Sequence, residues 1–490
     1  MRVALLVTSL GALVAGAFVA CGDSPSATSD GGTDAANADG GLVDGVAPGD
    51  DAGGFDGGKV DAGYLVGPER GWARESVHRI VWKAPAVDAG DVAPVVEATL
   101  DDGVSWQPVP EEQINVADHR VMFQVPAAGG TRVRVRITDR GLVTDTGPKN
   151  LIASQKRTYR WTKLTETAPF GPRDGTGGLV YHGRLYAIGG WNPDLHPITL
   201  TTNDVWSSAD GLSWVQEKAN TFLNPLTFDN NADWAGRHFG GYVVHDDKMF
   251  IVGGDPLQDD YQTDVWSSTT GKTWTRVTGN WGVTPSRAFQ HVTEFLGKIW
   301  VMGGQGLTDY GTKRDPSGAY SDVWSSPDGL SWTQTMPTSG VWAPRGIIGN
   351  NAVFQGRMWI VGGGLYEDPL YPTGRYFADT WSSADGASWT REAEDPPFSP
   401  RRYNSLATFD GRLWVLGGYN DAEGNLADNW YSGDGSNWYP EGDPGLVSRH
   451  AGTVWVLDAK TMFWGSGNAF YDDGVTEKWL ADMWKIEAIP

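Results

Sequence analysis

The sequence predicts an all-β fold built from repeated small sheets, and three observations lead to this prediction. One phrase, which begins at Asp204 and ends at Trp214 in its first copy, occurs five times. A second pattern, in which a basic residue precedes two apolar strands joined by a tight turn, occurs six times. The 66 glycines, 28 prolines and 25 tryptophans suit a chain with many turns and large aromatic packing units. Repeats of this length, each forming one small sheet, are typical of a β-propeller.

Each copy of the phrase contains two tryptophans eight residues apart, with a glycine three positions before the second. Glycine suits the left-handed last position of a three-residue hairpin loop. We therefore expect each phrase to form a β-hairpin whose tryptophans lie roughly opposite each other. The pairs are Trp206/Trp214, Trp266/Trp274, Trp324/Trp332, Trp381/Trp389 and Trp430/Trp438.

An arginine opens each of the six upstream patterns, and a second basic residue follows eleven positions later, or twelve in the fourth. Four of the turns between the two strands contain a residue followed by glycine, such as His182-Gly183, and this glycine supplies the positive φ of a two-residue hairpin. Two glycines end the second strand in five repeats, and Gly465-Ser466 takes their place in the sixth. The opening arginines are Arg173, Arg237, Arg287, Arg345, Arg401 and Arg449.

This combination resembles the kelch repeat. The matching features are the arginine-led first strand, the double glycine, and a third strand that begins with an aspartate and an aromatic residue. The resemblance extends from about Tyr159 to the C-terminus. It implies a six-bladed kelch-type β-propeller over residues 157–490.

The repeats also predict how the array closes. Six opening arginines are present, but only five tryptophan hairpins follow them, and the sixth repeat has no fourth strand after Trp484. Trp161-Thr162-Lys163-Leu164 is similar to Trp274-Thr275-Arg276-Val277, which is a fourth strand within the repeats. We therefore predict that Tyr159 to Leu164 forms the outermost strand of the last sheet, which removes an open sheet edge.

Three segments precede the repeats. Residues 1–21 contain an apolar run ending in Ala17-Phe18-Val19-Ala20-Cys21, which resembles a bacterial lipobox with Cys21 as the lipidated residue; an ordinary secretory signal or an anchor helix is the alternative. Residues 22–65 include nine aspartates and one lysine between Asp23 and Asp61, and this composition predicts a disordered tether. The expected location is the cell envelope, with a lipid anchor in the outer membrane or at the cell surface.

Residues 72–155 form a third segment with strand-like runs. Arg132 to Ile137 alternates strictly between charged and apolar residues, as expected for a strand with one buried face. The segment resembles the immunoglobulin-like or fibronectin-type sandwiches of bacterial surface proteins. This resemblance implies a small β-sandwich that acts as a spacer or as a packing partner.

Charge and cysteine content exclude several classes of function. The net charge of −22 argues against nucleic acid as a partner. The single cysteine rules out a disulfide within the chain and a cysteine-based metal site. We expect no cofactor and no metal, although His238, His291 and His450 offer a weaker hypothesis of a metal site in the channel.

Ligand binding is expected on the face that carries the long loops. Long loops on a rigid scaffold commonly carry recognition, and aromatic faces beside polar groups suit sugars or peptide segments. The opening arginines lie near the same end and could bind a carboxylate or phosphate; alternatively, they satisfy carbonyls and aspartates between blades. Besides the six arginines, the predicted ligand-binding residues are Trp191, Trp234, Tyr310 and Tyr366.

Two functions fit these observations. The first is a non-enzymatic, membrane-tethered binding protein that recognises a glycan or a protein through the long-loop face. The second is a carbohydrate-active enzyme, such as a sugar-acid mutarotase or epimerase, which would use an arginine for the carboxylate and a nearby acid or base. The absence of a cysteine from the repeats excludes the copper-radical chemistry of galactose oxidases, which resemble kelch proteins in fold. No residue is singled out as catalytic.

Overall fold

A computed structural model describes residues 65–66, 70–83, 92–257, 261–282, 287–306, 319–338, 342–346, 352–364, 376–470 and 476–489. These residues form β-strands, turns and one 3-10 segment, Glu111–Gln113, with no α-helix among them, so the predicted all-β class is confirmed. The described part of the chain therefore contains no helix that is long and apolar enough to cross a membrane. Cys21 and nearly all of the predicted tether lie outside these residues.

The six repeats correspond to six antiparallel units of four strands, here called sheets 1 to 6. In sheets 1 to 5 the strands lie side by side in chain order. Their bounds are Gly177–Tyr181, Arg184–Ile188, Val205–Ser208 and Trp214–Lys218 in sheet 1; Gly241–His245, Lys248–Gly254, Gln262–Ser268 and Thr275–Thr278 in sheet 2; His291–Phe295, Lys298–Met302, Val323–Ser326 and Thr333–Thr335 in sheet 3; Val353–Phe354, Arg357–Val361, Thr380–Ser383 and Trp389–Ala393 in sheet 4; and Ser405–Phe409, Arg412–Leu416, Asn429–Ser432 and Trp438–Glu441 in sheet 5.

Sheet 6 takes its outermost strand from the segment before the repeats, as the sequence predicts. Its first three strands are Thr453–Asp458, Thr461–Phe470 and Glu477–Ile489, and the fourth is Thr158–Thr165. The fourth strand runs antiparallel to the third, with Trp161 opposite Ile486. Tyr159 also packs edge-on against Trp414 of sheet 5, with ring centroids 4.6 Å apart. The strand therefore joins sheet 6 and contacts its neighbour.

The tight turns between first and second strands have the predicted geometry in sheets 1 to 5. Both central residues have positive φ there, as in His182 and Gly183 at +47° and +70°, and in Asp410 and Gly411 at +49° and +61°, whereas Ala459 and Lys460 of sheet 6 do not. Two such residues define a type I′ turn, whose twist matches that of the flanking strands. These tight turns lie at one end of each sheet, so the long connections lie at the opposite end.

The tryptophan hairpins differ from the prediction. Trp214 pairs with Ser208, and Trp206 pairs with Gln216, so the tryptophans are diagonal rather than opposite. The loop between Ser208 and Trp214 has five residues rather than three. It is longer because polar side chains satisfy its backbone: Ser208 Oγ accepts from Gly211 N at 2.9 Å, and Asp210 Oδ1 accepts from Ser213 N at 2.7 Å. The prediction of positive φ at the glycine is confirmed at Gly211, with φ +75°.

The hairpin glycines also contact the preceding sheet. A Cβ at Gly386 of sheet 4 would lie 2.2 Å from the Trp300 ring of sheet 3. Corresponding contacts join Gly435 to Trp359, Gly329 to Phe250, Gly271 to Tyr186 and Gly211 to Phe463. The last of these contacts joins sheet 1 to sheet 6.

The segment before the repeats folds as two sheets around a core of its own. That core includes Val121, Phe123, Val133, Val135 and Ile137. One sheet is built from Trp72–Ala73, Lys149–Ile152, Arg132–Asp139, Val95–Thr99, Gln107–Pro108 and Leu142–Asp145; the other contains Val77–Val81, Arg120–Gln124 and Ile114–Asn115.

This two-sheet segment packs against sheet 5. Val77 pairs with Trp438, and Ala73 N donates to Asn437 Oδ1 at 2.7 Å. Tyr439 OH donates to Arg74 O at 3.1 Å and accepts from Gln155 N at 2.9 Å. The segment is thus a packing partner of the repeats. Three shorter pairings complete the strands: Leu65–Val66 runs parallel to Thr390–Arg391, Arg287–Ala288 pairs with Gln305–Gly306, and Tyr419–Asn420 pairs with Gly424–Asn425.

Replacing Gly386 with alanine tests the contact between successive sheets. Gly386→Ala combines a left-handed backbone with overpacking against Trp300, so we expect the free energy of unfolding to fall by about 2–5 kcal/mol. Gly411→Ala is the matched control, because Gly411 also has positive φ but its Cβ would meet nothing within 4 Å. Its cost should be about 1–2 kcal/mol. Equal losses in urea denaturation would contradict the proposed role of the contact.

Candidate functional site

The six opening arginines are buried, with at most 3 % of their surface exposed. Each guanidinium binds an aspartate of its own sheet, which directly precedes the third strand in sheets 1, 3, 4 and 5 and lies within that strand in sheets 2 and 6. In sheet 2, Arg237 Nη1 donates to Asp264 Oδ1 at 2.6 Å and to Gly253 O at 3.0 Å. The pairs are Arg173–Asp204, Arg237–Asp264, Arg287–Asp322, Arg345–Asp379, Arg401–Asp428 and Arg449–Asp482.

Each of these aspartates also accepts a hydrogen bond from a tryptophan of its own sheet. Trp266 Nε1 donates to Asp264 Oδ2 at 2.7 Å, and the other five sheets repeat this bond. Burial opposes charge on Asp264, but the Arg237 guanidinium outweighs it and holds the pKa of the carboxyl below its usual value. The arginines are thus engaged inside the fold, as in the alternative stated from the sequence. Their aspartates belong to the same sheet, not to a neighbouring one.

The arginine carbonyls connect one sheet to the next. Gly190 N donates to Arg237 O at 2.9 Å, and Gly418 N donates to Arg449 O at 2.9 Å. Gly467 N makes the same bond to Arg173 O at 2.8 Å, which joins sheet 6 to sheet 1. Arg449 Nη1 donates to Ser466 O, so Ser466-Gly467 replaces the glycine pair in sheet 6. The assignment of Gly465-Ser466 to that position was wrong by one residue.

A ring of backbone hydrogen bonds lies two residues after the arginines. This axial ring consists of Gly175, Phe239, Phe289, Tyr403 and Ala451, all with φ between +46° and +61°. The N–H groups of Gly175, Phe239, Phe289 and Ala451 each donate to the ring residue of the preceding sheet, as in Phe239 N to Gly175 O at 3.1 Å and Gly175 N to Ala451 O at 3.3 Å. The corresponding residue of sheet 4 lies outside the described residues. The first strands surround a cavity of about 520 Å³ that ends at this ring.

Polar side chains converge at the residues directly after the opening arginines. His238 lies between two carboxylates: its Nε2 is 3.3 Å from Asp255 Oδ2, and its Nδ1 is 3.7 Å from Asp174 Oδ1. The Trp191 ring stacks on the His238 ring, with centroids 4.7 Å apart. Asp174 and Trp191 pair through their backbones, as do His238 and Asp255.

Sheet 6 completes this group. Asn468 Nδ2 donates to Asp174 Oδ2 at 3.4 Å, and Asn468 pairs with Trp479 in the strand register. Glu477, two residues before Trp479, is half-buried. We call Asp174, Trp191, His238, Asp255, Asn468 and Glu477 the loop-face cluster. It brings together sheets 1, 2 and 6 at the end that carries the long loops.

The protonation of this cluster is shifted by burial and by its own charges. Burial, followed by the Asp174 carboxylate, raises the pKa of Glu477 to about 8. Burial opposes charge on His238, but Asp174 and Asp255 outweigh it and raise the pKa of that imidazole. Glu477 therefore keeps its proton at neutral pH. A buried carboxyl with a raised pKa is a feature that acid–base chemistry and selective ligand binding both use.

A cationic group lies beside the cluster. The Arg402 guanidinium stands over the rings of Tyr376, Tyr403 and Tyr419 at 5.0, 5.0 and 5.7 Å. Tyr376 OH donates to Asp421. His450 Nδ1 is 2.6 Å from Asn425 Oδ1, and burial lowers the pKa of His450 to about 4.

The aromatic residues predicted to bind ligand have different placements. Trp191 belongs to the loop-face cluster. Trp234 is fully buried and packs edge-on against Trp274 at 5.9 Å, so it is a core residue. Tyr310 and Tyr366 lie outside the described residues.

The hypothesis of a metal site involves His238, His291 and His450, which all lie within the described residues. His291 is fully buried, and within the described ranges no three His, Cys, Asp or Glu side chains are placed to hold a metal ion.

Sequence reasoning missed Asp174, Asp255, Arg402, Asn468 and Glu477. A usable signal existed for two of them: the residue after the opening arginine differs in most repeats, being Asp, His, Ala, Gly, Arg and His in turn. Structural positions repeat, whereas a binding site should differ between repeats. No protein-family model and no curated protein matches the chain.

The pH dependence of stability tests the state of Glu477. Its pKa is raised from 4.5 to about 8, so between these values the folded state keeps a proton that the unfolded state has lost. Stability should therefore fall as pH rises from 5 to 8. Glu477→Gln should reduce that fall and raise the melting temperature at pH 8 more than at pH 5. Glu394→Gln, at an exposed position, should retain the original pH profile; identical profiles for all three proteins would contradict the assignment.

Proposed function

We propose that this chain is a membrane-tethered, extracytoplasmic binding protein that recognises a glycan through the loop face of a six-bladed, kelch-type β-propeller. The immunoglobulin-like sandwich packs on the propeller, and the tether joins both to a lipid anchor at Cys21. The outer membrane or the cell surface is the proposed location. The observation that carries the binding function is the convergence of polar side chains from three sheets in the loop-face cluster.

Contacts between the first and last sheets support the propeller architecture. The Gly467–Arg173 and Gly175–Ala451 backbone bonds join sheet 6 to sheet 1 just as equivalent bonds join the other neighbours. The Gly211–Phe463 contact does the same at the outer part of the sheets. Equivalent contacts at every described junction fit a closed ring of repeated sheets. The buried Arg–Asp–Trp bonds are consistent with the kelch resemblance.

The chemistry of the loop-face cluster supports a glycan. Sugars need fixed hydrogen-bonding groups together with an aromatic surface. Asp174 and Asn468 supply buried polar groups, and Trp191 supplies a partly exposed ring beside them. Asp174 Oδ1 and Asn468 Oδ1 are buried without a hydrogen-bond partner among the described residues. Polar atoms of this kind are normally satisfied by water or by a ligand. A protein partner is the other outcome of the test below.

The second candidate is a sugar-acid mutarotase or epimerase. The specific observation in its favour is Glu477, a protonated carboxyl at neutral pH that could donate a proton while Asp174 accepts one. Arg402 would have to leave its three tyrosine rings to bind the sugar carboxylate.

A glycan array with the full chain tests the proposed function. We expect binding to at least one class of glycan. Trp191→Ala should weaken this binding by about tenfold, because the sugar ring loses the aromatic face against which it packs. Trp106→Ala is the matched control, because Trp106 lies in the sandwich under Arg136. An array without binding, combined with turnover of a sugar acid, would replace the proposed function by the second candidate. Retention of a protein from the cell envelope without glycan binding would favour a protein partner.

A further inference from the structure

We propose that the loop-face cluster selects a glycan residue that carries a free, protonated amino group. This inference rests on the proposed glycan-binding function and names the chemical class of the ligand. Three observations carry the inference: the polar atoms of the cluster that have no hydrogen-bond partner, the sign of the charges around them, and the exposure of Glu477 and Asp194.

Two oxygens of the loop-face cluster have no hydrogen-bond partner, and both are hydrogen-bond acceptors. Asp174 is 4 % exposed and Asn468 is 1 % exposed, and neither Asp174 Oδ1 nor Asn468 Oδ1 has a hydrogen-bond partner within the part of the chain that the structure describes. The 3.7 Å separation between Asp174 Oδ1 and His238 Nδ1 is too long for a hydrogen bond. An ionised carboxylate accepts only, and so does an amide oxygen. Both atoms therefore call for a donor group on the ligand.

The charges at the cluster favour a cationic donor. Asp174 and Asp194 both act on Glu477, and Asp255 lies on the far side of His238. The imidazole of His238 faces two of these carboxylates and is already held between them. Arg402 is 6 % exposed and is covered by aromatic rings. A carboxylated sugar would meet the aspartates, whereas an ammonium group would be attracted by them.

Glu477 is the carboxyl of the loop-face cluster that a ligand can reach from solvent, because it is only half-buried. It lies at the start of the third strand of sheet 6, opposite Phe470, and Asp194 is exposed nearby in the loop after Trp191. Without a ligand, the carboxyl retains a proton because it is buried near two carboxylates. An ammonium group placed between Glu477 and Asp174 would favour the ionised form of Glu477, whose proton passes to solvent, and the ammonium group would then pair with both carboxylates. A charge-assisted hydrogen bond of this kind is stronger than a bond between neutral groups.

Matched oligosaccharides distinguish this inference from the proposed function. The probes are chito-oligosaccharides with free amines, the same oligosaccharides after N-acetylation, and oligogalacturonates, each titrated against the full chain at pH 6. We expect the free-amine probe to bind at least about tenfold more tightly than the N-acetylated probe. Glu477→Gln should remove most of this preference, and Asp174→Asn should weaken free-amine binding further. Trp106→Ala should leave the preference unchanged.

Each other outcome has a distinct meaning. Equal binding of free-amine and N-acetylated probes would overturn the amine inference and leave the glycan-binding function standing. Preference for oligogalacturonate would overturn it in favour of a sugar-acid ligand. No binding of any glycan, here and on the array, would overturn both proposals. The comparison of probes on the unmodified chain decides the matter even where a variant fails to fold.

Discussion

The opening arginine of a repeat forms hydrogen bonds both within its own sheet and to the preceding sheet, and the rest of the structure depends on this. Its guanidinium binds the aspartate that also accepts from the tryptophan of the same sheet, as Arg237 does with Asp264. In five repeats its carbonyl accepts a glycine N–H from the preceding sheet, as Arg237 does from Gly190. One residue thus fixes the interior of one sheet and its distance from another. Breaking a buried pair of this kind typically costs about 3–5 kcal/mol because the remaining charge has no partner. Such residues are unavailable to a ligand.

The repeated framework leaves the next position of each repeat free to vary. Asp174, His238, Arg402 and His450 all follow an opening arginine, and the backbone bonds of the axial ring hold them at the same end of the array. An aspartate, an arginine and two histidines occupy these four positions, so the site is asymmetric although its scaffold repeats. The proposed function uses this asymmetry: a rigid, repeated base presents a single group of unlike side chains.

Local patterns allowed much of the fold to be predicted from the sequence. The turn at Asp410-Gly411 and the strand around Trp161 depend on neighbouring residues and on similarity among repeats. The five-residue loop after Ser208 was missed because side-chain caps, rather than backbone preference, set its length. Glu477 and Asn468 were missed because their surroundings arise from contacts with Asp174, which is 294 residues from Asn468 in the chain. Charge and burial created by such packing leave no local signature.

Completion of sheet 6 by the strand Thr158–Thr165 is the central claim, and a disulfide tests the register of this strand directly. Thr162 lies opposite Lys485, so cysteines at these positions, with Cys21→Ser, should have Cα atoms within the range for a disulfide. The account predicts complete intramolecular cross-linking on oxidation and a higher melting temperature. Thr162→Cys with Glu487→Cys, a diagonal pair, should link poorly. Free thiols in the first variant, or equal linking in both, would contradict the placement of this strand in sheet 6.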